Sequence, residues 1–129
     1  MIQNFSKQLL ITGNLNRPDI DFNATTGELI MSGRSILENT ARFYDPLVEW
    51  LGHYCNEPAQ TTKLHLKMEY FNTSTSKFLL TIVERLAELY HEGNEVEIVW
   101  YFSDEDMQEL GIDYSHMIDI PFSFVEYIY

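Results

Sequence analysis

Apolar residues along this chain follow two periods, and the switches between them mark out its elements. Near the N-terminus Ile20 and Phe22 alternate with polar residues, Asn23-Ala24-Thr25-Thr26-Gly27 interrupts them, and Leu29 and Met31 resume the alternation. Period two on both sides of a turn-rich cluster predicts a β-hairpin. A weaker pattern over residues 8–12 predicts an earlier strand. Ser35 and Glu38 then stand at capping-box spacing, and Asp45-Pro46 offers a second helix start. Leu47, Trp50, Leu51, Tyr54 and Cys55 recur at helical spacing. They predict a helix over about 46–55, preceded by a turn or short helix and stopped by Asn56-Glu57-Pro58.

The second half repeats the change of period. From Lys63 to Phe71, Leu64, Leu66, Met68 and Tyr70 fall on one face, while Lys63, His65, Lys67 and Glu69 fall on the other. That is a half-buried strand with one wet face. Leu79, Ile82, Val83, Leu86 and Tyr90 form the stripe of a second helix, and Gly93-Asn94 supplies a left-handed stop. Val96, Ile98 and Trp100 mark a strand, Ser103-Asp104-Glu105-Asp106 the acidic first turn of a third helix, and residues 118–124 a last strand with Pro121 at a sheet edge. Strands joined through helices pair in parallel with crossovers of one hand, so a sheet polar on one side carries its helices on the other. The expected fold is α/β, a two-layer sandwich of a mixed sheet with helices on one face.

Composition narrows the function. No repeat or linker breaks the 129 residues, so one domain over 1–129 is expected. Hydrophobic residues make up 45%, enough for a packed core. Eight basic against twenty acidic residues give a net charge of −12, which argues against nucleic acid and against an anionic membrane surface. It suits a basic protein partner, or solubility alone. A lone Cys55 allows no internal disulfide, no apolar run is long enough to span a membrane, and Met1 to Lys7 has no leader pattern. A cytoplasmic protein is expected.

Candidate chemistry is sparse. There is no GxxxxGK(S/T) loop, no GxGxxG and no GxSxG elbow, and no cofactor is expected. His53, His65, His91 and His116 are scattered and lack metal-helix spacing, so no metal site is expected. Cys55 lies on an apolar stripe with no evident base. Asp104-Glu105-Asp106 lacks the spaced ligands and glycine of a calcium loop, and Ser103 with Asp106 reads instead as a helix cap. Glu84, Glu88 and Glu92 step along one helix face, either a solvated surface or an acidic dock for a basic partner.

The unusual stretch is Asn72-Thr73-Ser74-Thr75-Ser76-Lys77, where four consecutive hydroxyl residues stand between a strand end and a helix start. One N-cap accounts for one hydroxyl, not four. The same geometry also suits a phosphate, since free N–H groups and the positive end of the helix dipole favour an anion there. Phosphorylation would add about −1.5 to −2 charges to this segment. On physical grounds the capping and phosphorylation readings weigh equally.

Tyr70-Phe71-Asn72-Thr73-Ser74-Thr75-Ser76-Lys77 resembles the Y-(F/L)-N-T-S-S-x-K signature of the SiaC family of regulatory phosphoproteins. Other segments agree in order: Gly33-Arg34-Ser35 with Glu38-Asn39, Phe43-Tyr44-Asp45-Pro46 with Trp50-Leu51, Val99-Trp100-Tyr101 with Asp104-Glu105-Asp106-Met107 and Gly111, and Pro121-Phe122. Leu37 stands where that family usually has Pro, and Thr75 replaces a commoner Ser. The resemblance implies a non-enzymatic partner-switching protein with a fold like the STAS domains of anti-sigma-factor antagonists. It implies that a cognate kinase phosphorylates Thr73 and a PP2C-type phosphatase reverses this. The unphosphorylated form would bind and control an effector such as a diguanylate cyclase. Asn72, Ser74, Thr75, Ser76 and Lys77 would form the surrounding switch surface. The alternatives are a constitutive adaptor or anti-sigma-factor-antagonist-like domain that phosphorylation does not control, and a ligand-binding or enzymatic domain using Asp104 or Asp106.

Overall fold

The computed structural model describes residues 5–128. Residues 1–4, part of the Met1 to Lys7 stretch for which no leader was expected, and residue 129 lie outside the described residues. The elements run β1 (Gln8–Ile11), β2 (Asp19–Asn23), β3 (Glu28–Ser35), α1 (Thr40–Tyr54), β4 (Thr61–Phe71), α2 (Thr73–His91), β5 (Glu95–Phe102), α3 (Glu105–Met117) and β6 (Phe122–Glu126). The strands form one sheet in chain order. β1, β2 and β3 are antiparallel, and β3 through β6 pair in parallel. The connections explain the division, since tight turns reverse the chain and helices return it. In the β2–β3 turn the Asn23 side chain accepts from the backbone N–H groups of Thr25 (2.9 Å) and Thr26 (3.1 Å). An Asx turn of this kind fixes the predicted hairpin.

Leu29, Met31, Leu64, Leu66, Met68, Ile98 and Trp100 are buried between the sheet and the helices. On the opposite face Lys63 pairs with Glu97 at 3.7 Å, and His65 bridges Glu28 (2.8 Å) and Tyr101 (3.0 Å). The two-layer α/β arrangement with one polar sheet face is therefore the one the alternation predicts. In α2, Leu79, Ile82, Val83 and Leu86 are buried as expected, but Leu89 completes the stripe and Tyr90 is only half-buried. Among the described residues, no helix is long and apolar enough to cross a membrane.

Three local predictions need correction. The first concerns β4. Gly33 pairs with Met68, but the next residue, Arg34, pairs with Tyr70, which leaves Glu69 as the extra residue of a bulge. A one-residue slip exchanges the faces of everything after it. Tyr70 therefore turns outward at 49% exposed, and Phe71 takes the core position. Gly33 sits at φ +109°, a conformation that strains residues with a Cβ. The bulge leaves Ser35, the last residue of β3, opposite Phe71 and fully buried.

The second concerns α1, which starts at Thr40 rather than near Pro46. Ser35 forms no capping box. Asn39 is the cap, and its side chain accepts from the Arg42 N–H at 3.2 Å. Pro46 lies inside the helix, where loss of a backbone bond costs about 3 kcal/mol. Tyr44, Leu47, Leu51 and Tyr54 are fully or almost fully buried on both sides of it. Each such side chain contributes about 1.5–3 kcal/mol, so packing outweighs the proline. The third concerns the last strand, which starts at Phe122 because Ile118 still closes α3.

Candidate functional site

The tract of hydroxyls forms the first turn of α2, and each member has a different position. Asn72 is the cap: its side chain accepts from the Thr75 N–H (3.1 Å), and its carbonyl accepts from the Ser76 N–H (3.1 Å). The Asn72 N–H donates to the Ser35 carbonyl at 3.3 Å, tying the cap to the end of β3. The amide thus supplies the capping that the hydroxyls were candidates for.

Three of the four hydroxyls fasten the turn to three other elements. Ser74 Oγ donates to Asn72 Oδ1 (3.0 Å) and shares a hydrogen bond with Thr40 Oγ1 at the start of α1 (2.8 Å). Thr75 is fully buried and shares a hydrogen bond with Ser35 Oγ of β3 (2.7 Å), which also accepts from the Tyr44 hydroxyl of α1 (2.9 Å). Ser76 Oγ shares a hydrogen bond with the Tyr114 hydroxyl of α3 at 2.7 Å. Tyr114 is held in place by Trp100, whose ring lies 5.0 Å away. Gly111 allows this approach, because a Cβ there would lie 2.5 Å from the same indole. Burial pushes the Tyr44 phenol up to about 12 and the Tyr114 phenol upward, so both stay protonated at neutral pH and can donate.

Thr73 differs from the other three. It is exposed at the first position of the helix, and its hydroxyl has no hydrogen-bond partner among the described residues. Lys77, one turn further on, is also exposed with its ammonium unpaired. Of the six residues expected to form the switch surface, Thr75 has no exposed area and is a core residue. Asn72 and Ser76 are half-buried, and Thr73, Ser74 and Lys77 are exposed. Ser35, Thr40, Tyr44 and Tyr114 complete the network but carried no sign of this role in the sequence. Ser35 read as a helix cap, Tyr44 stood only among the residues of the family resemblance, and Thr40 and Tyr114 were not singled out.

The remaining candidates do not converge. Among the described residues no group of His, Cys, Asp or Glu could hold a metal ion. His53 lies 4.0 Å from Glu49 on α1, while His91 and His116 are exposed at the ends of α2 and α3. Cys55 is buried just beyond α1, and burial pushes its thiol up, away from the reactive thiolate. At α3, Asp104 rather than Ser103 is the cap and accepts from the Met107 N–H at 2.8 Å. Glu84, Glu88 and Glu92 are exposed and line a groove of about 630 Å³ with Ala87, His91, Met117, Ile118 and Asp119.

A helix start fixed on three sides with one free hydroxyl presents a surface for binding or modification. Residues 11–127 match the profile of the SiaC family regulatory phosphoprotein. The chain belongs to the SiaC family and is a regulatory protein, not a catalyst. It is similar to an uncharacterized protein of Pseudomonas aeruginosa (strain UCBPP-PA14), 26% identical over 117 residues that cover 89% of this chain and 93% of that one. It is also similar to a chain in the crystal structure of the diguanylate cyclase SiaD in complex with its activator SiaC from Pseudomonas aeruginosa. That match has a TM-score of 0.87 and 26% identity, covering 92% of this chain and 99% of that one. Apo-SiaC from the same organism matches with a TM-score of 0.87 and 25% identity over 93% of this chain and 99% of that one.

Proposed function

We propose that this protein is a cytoplasmic partner switch controlled by reversible phosphorylation of Thr73. In this reading a cognate kinase adds the phosphate and a PP2C-type phosphatase removes it. The unphosphorylated form binds and controls an effector, by analogy with SiaC and its diguanylate cyclase a cyclase of the same type. The observation that carries the reading is that Thr73, of the four hydroxyls, is both exposed and unbonded. A kinase can reach its oxygen without breaking the turn, whereas Ser74, Thr75 and Ser76 are already engaged. Asn72, Ser74, Ser76 and Lys77 frame the acceptor.

Mechanistically, the turn is a rigid mount. Added charge need not refold it and would act at its surface, where Ile36 is 36% and Tyr70 49% exposed. Apolar docking there would have to bury a dianion, which is unfavourable without a partner charge.

The test is to incubate the purified protein with its cognate kinase and ATP and map the phosphate by mass spectrometry. Label on Thr73 that disappears in Thr73→Ala is expected. Label elsewhere that survives Thr73→Ala defeats the assignment. Thr73→Glu should weaken effector binding by roughly tenfold. Unchanged affinity would leave a constitutive adaptor instead.

A further inference from the structure

We infer that Lys77 is the positioning residue for a phosphate on Thr73, holding it on α2 rather than leaving it free to swing outward. This rests on Thr73 being the phosphoacceptor. The argument begins with the cations. Among the described residues Arg34 pairs with Glu69, Lys63 with Glu97 and Arg85 with Glu88. Arg17 donates to the Thr12 carbonyl, Lys7 lies over the Phe5 ring, and Lys67 lies over the Tyr101 ring. Among the described residues only the side chains of Arg42 and Lys77 are left without a partner, although acidic residues outnumber basic ones by 20 to 8 in the sequence.

Lys77 is four residues after Thr73 in the same helix. Residues at that spacing share a face, with Cβ atoms about 5–6 Å apart. The order also suits the pair, since an anion N-terminal to a cation complements the helix dipole. The lysine stem is long enough to bring its ammonium to a phosphate at Thr73 while both stay at the surface. Other charges nearby compete weakly. Glu69 at the end of β4 is taken by Arg34 at 3.8 Å. The start of α1, joined to Ser74 through Thr40, carries Glu38 and Arg42. Arg42 is therefore the one rival cation for the phosphate.

The consequence is a phosphorylated state with a defined geometry. The phosphate lies along α2, partly neutralised, and the same turn stays intact in both states. A carboxylate at position 73 is shorter and carries less charge, so it reproduces this arrangement only in part.

The experiment installs phosphothreonine at position 73 by genetic encoding, which needs no kinase, and titrates the phosphate by phosphorus NMR. With Lys77 present, the second phosphate pKa should lie below the ordinary value of about 6. Lys77→Gln should raise it by about 0.3, roughly a twofold change in acidity, and Lys77→Arg should restore it. A pKa that ignores Lys77 and responds to Arg42→Gln would place the phosphate against α1 and overturn the inference. A pKa that ignores both would show a solvated phosphate and overturn it equally. Neither result touches the kinase assay, so loss of this inference and loss of Thr73 as acceptor remain distinguishable.

Discussion

The N-terminal end of α2 is fastened by side chains to other elements, whereas its C-terminal end closes on the helix's own carbonyls. At the start, Asn72, Ser74, Thr75 and Ser76 bond to the helix itself, to α1, to β3 and to α3. At the other end, the Glu92 N–H returns to the Glu88 carbonyl (3.0 Å), and the Asn94 backbone N–H (3.3 Å) and side-chain amide (3.0 Å) both donate to the Leu89 carbonyl, with Gly93 at φ +104°. Around that second end the exposed acidic side chains are Glu84, Glu88, Glu92 and Asp119, with His91 and Met117 exposed beside them. The two ends of this 19-residue helix lie about 28 Å apart. Specific bonds to distant elements fix one end in place. The other needs only apolar packing beneath and solvent above, so its surface is free to be acidic. A rigid end with one free hydroxyl suits a switch, because an added charge there is read at a fixed position.

This contrast can be tested by perturbing each end. The largest effect is expected at alkaline pH. Tyr44, which donates into the Ser35–Thr75 pair, has its folded pKa raised from 10.0 to about 12. A raised folded value means that its stabilisation is complete below pH 10 and is lost as pH climbs toward 12, since the unfolded chain ionises first. Urea midpoints should show up to about 3 kcal/mol lost over that window, and Tyr44→Phe should remove most of this slope. Thr75→Val comes next. It keeps the shape but deprives Ser35 Oγ of a partner in a fully buried site, and should cost about 2 kcal/mol by chemical denaturation. If Thr75→Val were as stable as the parent, the start of α2 would not be held by side chains in the way described. The smallest effect belongs to the other end. Replacing Glu84, Glu88 and Glu92 with Gln removes like charges at i, i+4 near a negative helix terminus. Stability should rise by no more than about 0.5 kcal/mol, and added salt should erase the gain. A loss above 1 kcal/mol would show that the acidic end also has a structural role.

Much of this was legible in the sequence. The β2–β3 hairpin, the parallel strands joined by helices and the buried stripe of α2 follow from periods that repeat within a few residues. The start of α2 was legible too, since a polar cluster between a strand and a helical stripe has few other solutions. The misreadings share one cause. Tyr70 alternates correctly with Met68, but a bulge opposite Gly33 turns it outward. Pro46 looks like a helix start, yet the packing of Tyr44 on one side and Leu47 on the other carries α1 through it. Ser35 has the spacing of a cap but serves β3 and Thr75 instead.

The sequence by itself determined the elements, their order and a run of four hydroxyls at one helix start. Local periodicity, turn residues and net charge act over short distances, so they can be read in one dimension. Only the tertiary structure decided what each hydroxyl does. The partners of Ser74, Thr75 and Ser76 lie 34, 40 and 38 residues away along the chain. Whether a hydroxyl is engaged or free depends on which distant side chains the sheet and helices bring within 3 Å of it. Those contacts occupy three positions of the tract and leave Thr73 open.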